Sequence, residues 1–203
     1  MKERPIIFSG DDVRAILDGR KRMTRRVIAH QPNEQGLWPR GTAPGDMESD
    51  CPYGTVGDRL WVREAFRELG SYQKVDGKLP WRGSPEICVY KADAPYDGPF
   101  RPSIHMPRWA SRITLEITEV RVERLQSISE EDAKAEGVQE RSHTCGGFGY
   151  YESGGETWEC ECMGWNHSPH VMEFVDLWNF INGKKHPWAS NPWVWVIKFE
   201  VVK

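Results

Sequence analysis

Residues 193–197, Trp-Val-Trp-Val-Ile, are apolar at five successive positions, and no other stretch restricts the fold as much. Successive side chains of a strand point to opposite faces, so a strand apolar at both parities must be covered on both sides. The run predicts a central strand with packing layers above and below it. Lys198, Glu200 and Lys203 then restore alternation, as expected where such a strand runs out towards an edge. It is also the longest apolar run in the chain, far short of the roughly 20 residues of a membrane span.

The other elements are short and well punctuated. Ser9-Gly10-Asp11-Asp12 is a capping pattern, and Val13, Ile16 and Leu17 follow on one helical face before Gly19, which predicts a short helix. Ile113, Leu115 and Ile117 alternate with polar residues, but Val120 and Val122 continue on the opposite parity. That slip predicts a strand with a bulge near Thr118–Glu119. Ser129-Glu130-Glu131-Asp132 caps a second helix, closed by Gly137, with Glu136 in its last turn. Ser168-Pro169 opens a third, with Val171, Phe174, Val175, Trp178 and Ile181 on one face and Asn182-Gly183 as the stop. Leu60–Glu64 reads as a further strand.

The strands and helices do not alternate regularly, and no glycine-rich dinucleotide loop follows a strand, so a doubly wound fold is excluded. The expected fold is mixed α+β, a small β-barrel with short flanking helices. At 203 residues the chain suits one domain, 1–203. Segments rich in Gly and Pro at about 30–57, 68–107 and 139–168 read as long loop insertions.

Twenty-seven Lys+Arg against 30 Asp+Glu give a net charge of -3, which excludes a polybasic nucleic-acid coat. The first eight residues lack the apolar core of a secretory signal, which points to a cytoplasmic protein without a membrane partner. Five cysteines then read as reduced thiols or a metal site rather than a disulfide framework. Of ten Trp, Trp61, Trp178, Trp193 and Trp195 fall at core positions. Trp38, Trp81, Trp109, Trp158, Trp165 and Trp188 fall in looser segments, as loop clamps or stacking surfaces.

Local charge is another matter. Arg20-Lys21-Arg22-Met23-Thr24-Arg25-Arg26 carries five cations in seven residues, either a solvated face or an anion-seeking one. Lys21 and Thr24 are three apart, so they share a face in a helical turn and oppose each other in a strand. A neutral Lys beside a Thr hydroxyl is a base with its nucleophile. Like charges favour the neutral amine, with Arg20, Arg22 and Arg25 as the candidates to crowd Lys21, whereas a carboxylate nearby would favour the ammonium.

Gly19-Arg20-Lys21-Arg22-Met23-Thr24-Arg25-Arg26 resembles the Gly-x-Lys-x-x-(Thr or Glu)-x-Arg signature of the ASCH domain family, which is similar to the PUA domain of RNA-modifying proteins. Cys51–Gly54, Val56–Glu64, Ser103–Arg112 and Asn191–Val196 resemble the ASCH proteins of phages and prophages. The resemblance implies a PUA-like fold and binding of RNA or a modified nucleoside or nucleotide. One branch, the small bacterial 4-acetylcytidine amidohydrolases, is similar in a further way. Its Lys, Thr and Glu fall on Lys21, Thr24 and Glu136, which implies a catalytic triad. Lys21 would deprotonate Thr24, Thr24 would attack an amide carbonyl, and Glu136 would orient Lys21 or help protonate the departing amine.

Arg20, Arg22, Arg25 and Arg26 are the candidate nucleic-acid contacts. Arg63 and Glu64 are candidate pocket walls, an Arg plane stacking on a base and a carboxylate accepting from an exocyclic amine, or else members of an internal salt bridge. His143, Cys145, Cys160 and Cys162, with His167 and His170, supply enough ligands for a tetrahedral zinc site. They lack paired Cys-x-x-Cys spacing, so free thiols and no cofactor are the default expectation. Two functions remain open, an amidohydrolase and a PUA-like binding module without chemistry. A phage structural component has no supporting feature in the residues, and no protein partner can be inferred.

Overall fold

The computed structural model describes residues 1–33, 37–38, 51–68, 87–93, 98–139, 150–153, 156–159 and 169–202. His143, Cys145, Cys160, Cys162 and His167, expected as zinc ligands, lie outside the described residues, as do Trp81, Trp165 and Ser168. Along the chain run β1 (Glu3–Ile7), α1 (Gly10–Leu17), β2 (Met23–Val27), β3 (Arg59–Arg63), β4 (Phe66–Glu68), β5 (Cys88–Tyr90) and β6 (Thr114–Arg124). They are followed by α2 (Glu130–Ala135), β7 (Tyr150–Ser153), β8 (Glu156–Glu159), α3 (Pro169–Asn182) and β9 (Trp193–Val201).

Five strands form the main sheet in the order β1-β3-β6-β9-β2, while β4-β5 and β7-β8 form separate two-stranded sheets. The β1–β3 pair is parallel and the others in the main sheet are antiparallel. β9 pairs with β6 on one side and β2 on the other, so the run apolar at both parities is indeed central. Trp195, Ile197 and Phe199 enter one apolar cluster with Phe8, Val13, Ile16, Leu60 and Leu115. Val194 and Val196 enter a second, with Val171, Phe174, Val175 and Trp178 of α3 and with Trp188. Trp188, expected in a loose segment, is thus a core residue, and Trp38 packs on Trp193 with ring centroids 5.6 Å apart.

The register of β6 against β9 shifts between Ile117 and Glu119, where the parity slip predicted a bulge. The extra residue keeps Ile117 and Val120 in the same cluster although they are three apart. Backbone pairing does not close the expected barrel among the described residues: β1 and β2 remain edges. A single side chain spans them, with Arg26 Nη2 on β2 donating to the Ile7 carbonyl on β1 at 2.7 Å.

Caps delimit the helices. Ser9 Oγ accepts from the Asp12 amide while the Asp12 carboxylate accepts from the Ser9 amide, and Ser129 Oγ accepts from the Asp132 amide. Val13 and Ile16 are buried, but Leu17 is exposed because its position rotates away from the sheet. Ile181 is likewise exposed, while Val171, Phe174, Val175 and Trp178 are buried, each contributing about 1.5–3 kcal/mol. No helix among the described residues is long and apolar enough to cross a membrane.

Gly19 and Gly137 end α1 and α2 in left-handed conformations, at φ 71° and 84°. Their surroundings differ. A Cβ on Gly137 would lie 2.8 Å from Lys21 Cβ and 3.0 Å from Ala15 Cβ, whereas Gly19 has open space. Gly19→Ala is therefore expected to cost only the left-handed penalty, about 1 kcal/mol. Gly137→Ala adds overpacking, for a total of about 2–4 kcal/mol. Urea denaturation of the two variants checks this; equal losses would contradict the close approach of α2 to Lys21.

Candidate active site

Lys21 is brought to Glu136, 115 residues away in sequence, by a backbone clamp. Lys21 and Glu136 form an isolated antiparallel bridge, the Arg22 amide donates to the Ala135 carbonyl at 2.8 Å, and Arg20 Nη1 donates to the Gly137 carbonyl at 2.9 Å. Helix α1 fixes the other end, since the amides of Arg20 and Lys21 both donate to the Ala15 carbonyl. The Gly137 turn is what allows the end of α2 to come this close.

At the clamp, Lys21 and Glu136 are only 3% and 4% exposed. Lys21 Nζ donates to Glu136 Oε2 at 2.9 Å and to the Glu136 carbonyl at 2.7 Å, and lies 3.3 Å from Asp12 Oδ1. An ammonium has three donors, and here each has an acceptor. Asp12, read from sequence only as a helix cap, is thus also a member of the site. Its signal was the capping box itself, which aims one carboxylate oxygen at Ser9 and leaves the other for Lys21. Burial alone would raise the Asp12 carboxyl; the charge of Lys21 and the hydrogen bonds from Ser9 outweigh it and hold it below the ordinary 3.8.

Thr24 lies on β2, opposite Ile197 of β9. The segment is extended, so of the two arrangements left open for Lys21 and Thr24 the helical turn is not the one adopted. Lys21, Thr24 and Glu136 line one cavity of about 200 Å³, with Asp12, Arg25 and Arg26, but no hydrogen bond joins Lys21 to Thr24. Phe174, Leu177 and Trp178 of α3 form its apolar wall, and Tyr53 also borders it. The four-carbon stem of Lys21 reaches the cavity from outside the strand. Thr24 is buried, and its side chain enters none of the hydrogen bonds found among the described residues.

The arginines divide. Arg25, expected to contact nucleic acid, is enclosed: its guanidinium pairs with Asp132 at 2.6 Å, Glu136 Oε1 at 3.3 Å and Glu123 at 3.4 Å. It is committed to carboxylates and cannot reach a phosphate without breaking those pairs; its geometric role is to hold Glu136. Arg20 is engaged by Asp18 and Gly137, and Arg22 is exposed with its Nε on the Gly19 carbonyl. Arg26 lines the cavity, its guanidinium 5.1 Å from the Phe8 ring centre. Crowding of Lys21 by Arg20, Arg22 and Arg25 is therefore replaced by pairing with two carboxylates, because Arg20 and Arg25 have carboxylate partners of their own.

Arg63 and Glu64 do not line this cavity. Arg63 donates to the Ile104 carbonyl and stacks on Trp61. Glu64 accepts a bidentate pair from Arg112, at 2.9 and 3.0 Å, and Arg112 also pairs with Asp93. Glu64 is thus a member of an internal salt bridge, while Arg63 enters none among the described residues. Burial pushes the Glu64 carboxyl up, against the pull of Arg112. Of the zinc candidates only His170 is described, 3.5 Å from Glu130, and no group of three metal-ligating side chains occurs among the described residues.

Asp12 gives a pH test. Its folded value lies below its unfolded one, so its contribution is full above 3.8 and is lost as pH falls through the lowered folded value. Asp12→Asn keeps the cap and loses the charge. It should cost about 1 kcal/mol near neutrality, and the deficit against the parent should shrink as pH drops below 3.8. A deficit constant with pH, measured by denaturant titration, would contradict the Asp12–Lys21 pair.

No family model matches the sequence, and no curated protein matches it. Among solved structures the chain is similar to the crystal structure of an ASCH domain from Lactobacillus crispatus JV V101, at 14% identity and a TM-score of 0.40, over 99% of this chain and 80% of that one.

Proposed function

We propose that the cavity binds a modified nucleobase and that the protein is an amidohydrolase cleaving a linear amide on it, of the 4-acetylcytidine kind, with Thr24 as nucleophile, Lys21 as base and Glu136 as proton partner. The observation that carries this reading is that the buried Lys21–Glu136 pair and Thr24 line one cavity. A buried ion pair is a poor device for stability alone, since desolvation offsets most of its attraction. A buried lysine beside a nucleophile is a recurrent arrangement for proton transfer.

Size and charge support the substrate class. A volume of about 200 Å³ is below the roughly 300–1,000 Å³ of sites for drug-sized ligands, so it suits one substituted ring. Three cations and two carboxylates line the space. That mixture favours a neutral polar ring over a run of phosphates, and Phe174 and Trp178 supply an apolar wall for it.

The steps balance as amide plus water giving amine plus carboxylic acid. A proton passed from Lys21 to Glu136 frees the amine to act as the base. Lys21 then takes the Thr24 hydroxyl proton as Oγ1 bonds to the amide carbonyl carbon. Collapse breaks the C–N bond, and the proton on Lys21 goes to the leaving nitrogen. A water, deprotonated by Lys21, then attacks the acyl-threonine ester and Thr24 leaves with its proton restored. Arg25, joined to the second oxygen of Glu136, holds that carboxylate in place.

A second reading, a PUA-like module that binds RNA or a nucleoside without chemistry, is favoured by one observation: Lys21 spends its hydrogen bonds on Glu136 and Asp12 and none on Thr24. Thr24→Val separates the two, since it removes the nucleophile and leaves the ion pair intact. Acetate release from 4-acetylcytidine should fall by about 10² to 10⁴ in Lys21→Ala, and by at least as much in Thr24→Val, with Glu136→Gln also impaired. Turnover at the parent rate in all three folded variants would refute the triad. Binding of 4-acetylcytidine without turnover by the parent would select the second reading.

A further inference from the structure

Next to the cavity lies a second pocket, of about 290 Å³, whose lining includes Arg124, Lys185, His186, Gln31, Asn33 and Ser190. No Asp or Glu is among the described residues that line it. A groove of about 760 Å³ along α1 and α3 presents Asp11, Asp18, Glu173 and Asp176 beside Arg14 and Arg20. The cavity of Lys21 is mixed in sign. Of these three pockets, as the described residues line them, this one gathers cations without acids, and none of the ion pairs among the described residues uses Arg124, Lys185 or His186.

Its cations are held in place rather than scattered. Arg124 Nη1 donates to the Asn191 carbonyl at 2.9 Å, and its guanidinium carbon lies 4.6 Å from the Trp193 ring centre. Both contacts leave donor capacity on a fork suited to a phosphate. Lys185 and His186 follow α3 in a turn whose two amides both donate to the Asn182 carbonyl, at 3.0 and 2.9 Å. The same turn is anchored to the cavity wall, because Trp178 Nε1 donates to the His186 carbonyl at 2.8 Å. His186 lines both the pocket and the cavity.

We infer that this pocket is a phosphate subsite, so that the molecule recognised is a phosphorylated nucleoside, its base in the Lys21 cavity and its phosphate on Arg124 and Lys185, with His186 between them. The inference rests on reading the cavity as a base site and adds what that reading leaves open, the difference between nucleoside and nucleotide. Phosphate in the cavity itself would meet Asp12 and Glu136, whereas one pocket away the charged side chains it would meet among the described residues are cations.

Calorimetric titration of the full chain with cytidine, cytidine 5′-monophosphate, a cytidine trinucleotide and inorganic pyrophosphate tests this, in the parent and in Arg124→Gln/Lys185→Gln. The parent should bind the monophosphate about tenfold to a hundredfold more tightly than cytidine, the range of one or two charge-assisted hydrogen bonds. The double variant should lose that preference and keep its affinity for cytidine. A trinucleotide tighter than the monophosphate would assign the phosphate to a diester backbone, and the reverse to a free monoester. Equal affinity of the parent for cytidine and its monophosphate would overturn the subsite and leave the base cavity standing. Pyrophosphate binding by the parent alone, with no cytidine binding by either protein, would support the subsite and overturn the base cavity. No binding of any probe would overturn both.

Discussion

Because β9 is buried on both faces and hydrogen-bonded along both edges, the sheet has to be sandwiched. Trp195, Ile197 and Phe199 demand a cover on one face, which α1 supplies through Val13 and Ile16. Val194 and Val196 demand another, which α2 and α3 supply. β2 pairs with β9, so the segment just before it is drawn between α1 and α2. Lys21 lies in that segment. The site is thus a consequence of covering one strand twice: two helices packed near a common edge converge where the chain passes between them.

Electrostatics follow from that placement. Strand and helix bring cations and carboxylates into alternation, with Arg25 reaching Asp132 and Glu136 while Arg121 also reaches Asp132. A cluster that looks anion-seeking along the sequence is largely neutralised in space. Arg124 and Lys185, outside that cluster, enter none of the ion pairs among the described residues and line one pocket together. Formal charge counts along the chain describe segments, whereas a ligand meets the charges left over after internal pairing.

Several parts of this structure were legible because their cause is local. Ser9 and Ser129 cap helices through their own neighbours three residues on. Gly19 and Gly137 adopt left-handed turns that glycine tolerates best. The parity slip after Thr118 became a bulge because an extra residue is the only way to keep both apolar sets inward. Other parts were not legible. Leu17 and Ile181 are apolar and exposed, since helical periodicity gives a face but not the width that a neighbour covers. Trp188 sits beside prolines yet fills the core under α3. Glu64, adjacent to the sheet, faces Arg112 and not the cavity.

The sequence by itself determined the central strand, the three helices with their stops, the bulge, and the residue types of a Lys-Thr-Glu set, because each depends on side-chain periodicity or on bonds within a few residues. Only the tertiary structure decided that Lys21 meets Glu136 across 115 positions, that Asp12 completes its set of acceptors, and that Arg25 is paired with three carboxylates. It also decided that the sheet edges are joined by the Arg26 side chain and not by a backbone ladder. Those outcomes depend on which helix covers which part of the sheet, and on which charge is nearest once the chain is folded, distances that spacing along the chain does not contain.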